Sequence, residues 1–183
     1  MAKASQGARR EGASRAYTLV EVLIVVTILG IAGAMVVPAF SQTGVLRTQA
    51  AVRTIVSDIT TAQSDALALQ VGRAIQFTPS GGEYRIAEVR SATVDFNLDL
   101  LGQTVITGET YGNTTMTAAR FGTGTTLYLD EMGSPETSAM SGIPAPAGYV
   151  DVEGSGQKYR ITVEAYTGRV TVQSIASPPP PGL

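Results

Sequence analysis

The chain has 183 residues, 44% of them hydrophobic and 15% charged, with a formal net charge of -2. That length allows one domain with a real core, and that charge excludes polyanion binding through bulk electrostatics. With no Cys, no His and no Trp, disulfides, thiolate metal sites and a Ser-His-Asp arrangement are all excluded.

Charge is distributed unevenly. Residues 1–16 hold Lys3, Arg9, Arg10 and Arg15 against the single acid Glu11, so the remaining chain carries -5. No apolar periodicity runs through 1–16, which reads as a leader concerned with targeting and not with the fold. Residues 17–40 follow as YTLVEVLIVVTILGIAGAMVVPAF, with no charge from Val22 to Phe40. A helix of that uncharged run spans about 28 Å, close to the hydrocarbon thickness of a bilayer. Basic residues beside an apolar helix favour the cytoplasmic side, which predicts a single pass with the N-terminus inside and the rest of the chain outside.

A secretory signal peptide places its small-residue cleavage site after the apolar run. Here the small residue, Ala16, comes before it. Glu21 lies just inside the apolar segment, where an ionised carboxylate costs up to about 2.5 to 3.5 kcal/mol near the bilayer centre and less near the interface. Such a group requires a partner. Cleavage between Ala16 and Tyr17 would create an α-amino group one helical turn from Glu21, and an adjacent chain displaced by about a turn could bring its own amine to that carboxylate.

These residues resemble the class III signal of type IV pilins and type II secretion pseudopilins: a basic leader ending in a small residue, then Tyr17, Thr18, Leu19, Val20 and Glu21. Gly30 and Pro38 also fall at the family's usual helix positions, whereas Ala16 stands where the family usually has Gly. The resemblance implies that a prepilin peptidase cleaves after Ala16 and methylates the new amine of Tyr17. It further implies that Glu21 neutralises a neighbouring subunit's amine during assembly. Pro38 lacks an amide hydrogen and is expected to kink the helix, while Gly30 and Ala34 form a small-xxx-small pair suited to close helix approach.

Residues 41–72 continue as an amphipathic helix in which Val52, Ile55 or Val56, Ile59, Ala62, Ala66 and Leu69 form one stripe, with Gly72 as its stop. A β-rich domain is expected over 73–176. Its reading begins with a hairpin of strands 73–77 and 83–89, followed by a strand at 94–100 and another at 104–107. Residues 108–124 are rich in Gly and Thr and suggest no element. A strand at 125–130, a long loop over 131–148 and three strands at 149–153, 158–165 and 169–174 follow, the last two joined by a tight turn at 166–168. Residues 177–183 contain Pro178 to Pro181 in a row and are expected to form an unpacked polyproline tail. The expected class is α+β: a long N-terminal helix packed on a C-terminal antiparallel β-sheet domain, pilin-like.

Leu129, Asp130 and Gly133, followed by KYRITVEAYTGRVTV over 158–172, resemble the H-type minor pseudopilins of type II secretion and their FimT-like relatives in type IV pili. The implied function is that of a structural subunit in a periplasmic pseudopilus, held in the inner membrane before assembly. Implied partners are other pilin or pseudopilin subunits, the prepilin peptidase, an inner-membrane secretion or pilus assembly platform, and membrane lipid. A minor type IV pilin and a membrane-anchored binding module that never polymerises are the alternatives.

Other constellations fail on spacing. Asp95, Asn97 and Asp99 open like a calcium loop, but Leu100 occupies the glycine position and Ile106 the glutamate position. Asp130 and Glu131 are adjacent, and adjacent strand residues face opposite ways, which does not make a catalytic pair. Late cations are limited to Lys158, Arg160 and Arg169, countered by Asp151, Glu153 and Glu164, so nucleic acid is not an expected partner. No catalytic, metal or cofactor-binding residue is assigned, and the chain is read as a non-enzyme.

Overall fold

The computed structural model describes residues 18–175, and of residues 34–42 it describes the backbone alone. The expected leader, Ala16, Tyr17 and the Pro-rich tail lie outside the described residues, as do the side chains of Ala34 and Pro38 and with them the expected kink. The chain divides into two units, residues 1–39 and residues 40–183. Helix α1, Leu19–Leu69, contributes residues to both.

Among the described residues of the first unit the helix has no core face. Its large apolar side chains from Leu19 to Ile31 are between 50% and 82% exposed. Thr27 satisfies its hydroxyl within the helix by donating to Leu23 O at 2.7 Å.

The second unit is built by burial of one stripe of α1. Thr48, Ala51, Val52, Ile55, Ile59, Ala62 and Ala66 are buried, which is the three-and-four spacing of an amphipathic helix. Leu69, read as the end of the stripe, is 62% exposed. The helix closes there, because Gln70 adopts φ 56 and Val71 N–H reaches back to Ala66 O at 3.3 Å. That is a Schellman-type ending carried by Gln70, where the sequence pointed to Gly72. Gly72 serves a close approach instead: a Cβ there would lie 2.8 Å from Leu129 O.

Nine strands follow among the described residues: β1 Arg73–Thr78, β2 Glu83–Glu88, β3 Leu100–Val105, β4 Thr115–Arg120, β5 Thr126–Leu129, β6 Pro135–Glu136, β7 Gly148–Gly154, β8 Gln157–Val163 and β9 Val170–Ile175. They form two sheets, one in the order β3-β2-β1-β5-β6 and one in the order β4-β7-β8-β9, and every strand pairing is antiparallel. The α+β class read from the sequence holds. Both sheets meet the helix stripe in one core, in which Ile75, Phe77, Tyr84 and Leu127 of the first sheet join Met116, Val150, Val152 and Ile161 of the second. Phe77 stacks on Phe121 with ring centroids 5.4 Å apart and meets Tyr84 at a tilt, with centroids 5.5 Å apart.

Four assignments change, the first being that the loop expected over 131–148 carries the short strand β6, Pro135–Glu136, paired with β5. The strand expected at 94–100 is a turn, because Asp95 Oδ1 accepts the amides of Asn97 and Leu98 at 2.8 and 3.2 Å. Acidic side chains that bond their own backbone compete with a ladder, and here the turn wins over the alternating pattern. Val94 and Phe96 instead pack over Ala74, Val89 and Ala139 in a second, smaller cluster. The strand expected at 104–107 starts earlier, at Leu100, and ends at Val105. Residues 108–124, unassigned in sequence, supply β4, the edge strand of the second sheet.

Candidate functional site

The amino end of α1 is defined by Thr18. Its Oγ1 accepts the Glu21 amide at 3.2 Å, and its carbonyl accepts the Val22 amide at 3.2 Å. Thr18 is therefore the helix cap and Glu21 the third helical residue, the Thr-x-x-Glu spacing of a capping box. Sequence reasoning used both residues only as parts of a motif, although the spacing was visible. The Glu21 side chain is exposed and forms no ion pair with any described residue. An acid in the first turn of a helix is favoured by the partial positive charge there, and its outer oxygens stay available to a further cation.

Among the described residues no helix has an 18-residue window apolar enough to cross a membrane. The uncharged run of the sequence extends from Val22 to Phe40, and the side chains past residue 33 in that run lie outside the description.

A second group of residues explains the pattern noted in 129–172. Asp130 Oδ1 accepts the amides of Met132 and Ser134 at 2.8 and 2.7 Å, closing the turn that places Gly133 at φ 77. Gly133 lies on the helix, where a Cβ would meet Gln63 O at 2.9 Å. Gly168, at φ 65 in the turn between β8 and β9, receives the Gln63 Nε2 hydrogen bond on its carbonyl at 2.6 Å. A Cβ on Gly168 would also lie 3.0 Å from Gly133 O. One residue of α1 thus touches both turns: the Gln63 side chain hydrogen-bonds the Gly168 turn, and its backbone lies against Gly133. Asp130 is occupied by backbone amides and Glu131 is exposed, so the two adjacent acids do not face one another across a site.

The cations read as strand-face charges sit accordingly. Arg160 on β8 forms a two-pronged pair with the buried Asp151 on β7, Nε to Oδ1 at 2.7 Å and Nη2 to Oδ2 at 2.8 Å, and lies 4.0 Å over the Tyr149 ring. Its guanidinium is held charged by the Asp151 hydrogen bonds, which raise its pKa above the ordinary arginine value. It is not free for a phosphate. No group of three or more His, Cys, Asp or Glu that could hold a metal occurs among the described residues.

Beneath these, α1 is tied to the first sheet by a network that sequence reasoning missed. Tyr84 donates to Asp58 Oδ2 at 2.5 Å, and Thr104 reaches the same oxygen at 3.3 Å. Burial first, and then the bond to Asp58, push the Tyr84 hydroxyl far above the ordinary tyrosine range.

Residues 12–37 match the family model described as the prokaryotic N-terminal methylation motif. The match covers the N-terminal motif alone. It spans Ala16, Tyr17, Thr18 and Glu21 and agrees with the resemblance read there from sequence. No curated protein matches the chain. Among solved structures, the minor pseudopilin EpsH from the type 2 secretion system of Vibrio cholerae superposes with a TM-score of 0.48 at 8% identity, covering 71% of this chain and 97% of that one.

Proposed function

We propose that this chain is a non-enzymatic minor pseudopilin of the H type, processed after Ala16, N-methylated on Tyr17 and held by residues 17–40 in the inner membrane until it enters a short periplasmic filament. Its soluble domain faces the periplasm, and its partners are other pilin-like subunits, the prepilin peptidase, the assembly platform and lipid. The match of residues 12–37 to the N-terminal methylation motif carries this reading. Glu21, exposed in the first turn of an apolar helix and without an ion pair among the described residues, is the acid proposed to meet the amine of an adjacent subunit. The exposed apolar surface from Leu19 to Ile31 supports lateral packing of such helices.

Glu21→Ala tests the proposal in the native host by crosslinking to other pilin-like subunits. Loss of crosslinks with membrane insertion intact is the expected result. Unchanged crosslinks would replace the filament reading with that of an anchored binding module.

A further inference from the structure

The second sheet ends on β9, whose only strand partner among the described residues is β8. Exposed edges are ordinarily blunted by charge, Pro or a bulge. None of these protects β9: its sequence is Val-Thr-Val-Gln-Ser-Ile, and it pairs with β8 in unbroken register from Val163↔Val170 to Lys158↔Ile175. The opposite edge, β4, is bulged between Met116 and Ala118 and carries Arg120.

Val172 lies opposite Ile161, which is fully buried, so Val172 points to the helix side of the sheet. It is nevertheless 44% exposed. Beside it opens a cavity of about 420 Å³, whose apolar lining is Val52 and Val56 of α1 with Tyr159 and Val172, and whose polar groups include Gln49 and Arg53. Gln49 is engaged, donating from Nε2 to the Tyr159 hydroxyl at 3.4 Å. Arg53 is exposed and has neither a hydrogen bond nor an ion pair with any described residue. The sheet stops one strand short of covering this part of the helix.

We propose that this place binds an extended strand of another polypeptide, paired along the free edge of β9. The strand is apolar at alternate positions over the cavity and carries one carboxylate opposite Arg53. Each element of that description has its cause. The unpaired N–H and C=O groups of an edge are matched at strand spacing only by another extended chain, and the alternation follows from the pleat. The carboxylate follows from a guanidinium without a counter-charge beside an apolar cavity. The chain's own Pro178 to Pro181 lack amide hydrogens and cannot supply ladder donors. The inference stands apart from assembly through the N-terminal helix.

The test uses the full-length chain in detergent micelles and a set of fluorescein-labelled nine-residue peptides, with Val, Ile or Tyr alternating with Thr and a single Asp, read by fluorescence anisotropy. Binding is expected for members of the set, weakened at least tenfold when Asp is replaced by Lys. N-methylation of alternate amides should abolish binding in one parity and spare it in the other. Arg53→Glu should invert the Asp-over-Lys preference and Arg53→Gln should level it, with circular dichroism confirming that both variants keep the fold. The proposal is overturned if no peptide binds, if both N-methyl parities bind alike, or if the charge preference ignores residue 53. It is also overturned if deleting residues 178–183 raises peptide affinity tenfold or more, since the tail would then be the resident.

Discussion

Single side chains determine how the helix of the second unit is locked to its sheets. Asp58 on α1 accepts hydrogen bonds from Tyr84 on β2 and Thr104 on β3, so one carboxylate spans two strands. Tyr84 is 1% exposed, and its hydroxyl must remain neutral in the folded chain. A tyrosine free in the unfolded chain ionises near pH about 10. Because the folded value is raised, this group's contribution is fully present below that pH and is lost as pH rises above it, with a slope of up to about 1.4 kcal/mol per pH unit. Tyr84→Phe is expected to cost about 1.5 to 3 kcal/mol at neutral pH, the range for a hydrogen bond to a charged acceptor. In urea titrations between pH 9 and 11, the gap between wild type and variant should shrink with rising pH. A constant gap would show that the hydroxyl ionises as readily folded as unfolded.

The contact of Gln63 with Gly168 makes a second prediction at this scale. Gln63→Ala removes one part-buried hydrogen bond and should cost about 1 kcal/mol. Gly168→Ala adds a Cβ at a left-handed backbone position and 3.0 Å from Gly133 O, so it should cost more, about 2 to 4 kcal/mol. Denaturant midpoints of the two variants check the order, which reverses if the turn relaxes away from the helix.

Elements differ in how far the sequence announced them. The stripe on α1 was legible because 3.6-residue periodicity places Val52, Ile55, Ile59, Ala62 and Ala66 on one face, and all are buried. The hairpin of β1 and β2 and the three late strands were legible because apolar residues there alternate between turn residues. The segment at 94–100 alternates just as well, yet forms a turn, since Asp95 offers its backbone neighbours local hydrogen bonds that no periodicity records. β4 was invisible because Thr-Met-Thr-Ala-Ala-Arg buries little surface of its own, and its place beside β7 is a long-range pairing. The cap at Thr18 is legible in the Thr-x-x-Glu spacing of Thr18 and Glu21. Thr18→Ala should lower the stability of the first helical turn by about 1 kcal/mol, seen as roughly fivefold faster hydrogen exchange of the Glu21 and Val22 amides in micelles. Unchanged exchange would mean that the turn is held by something other than this hydroxyl.

At the scale of the molecule the chain has two chemistries. Residues 19–31 expose apolar side chains around the whole helix, while the unit from residue 40 onward buries one helix stripe under two antiparallel sheets. An apolar rod whose described residues have no core face of their own is suited to neighbours of like kind or to lipid. The proposed role rests on Glu21, whose value depends on an amine that exists only if the leader is removed. The proposed cut lies between Ala16 and Tyr17, within the residues that match the methylation motif. Intact-mass and N-terminal peptide mass spectrometry of the protein purified from its native membrane measures this directly. The account predicts a chain beginning at N-methylated Tyr17; a chain that retains residues 1–16 would contradict it.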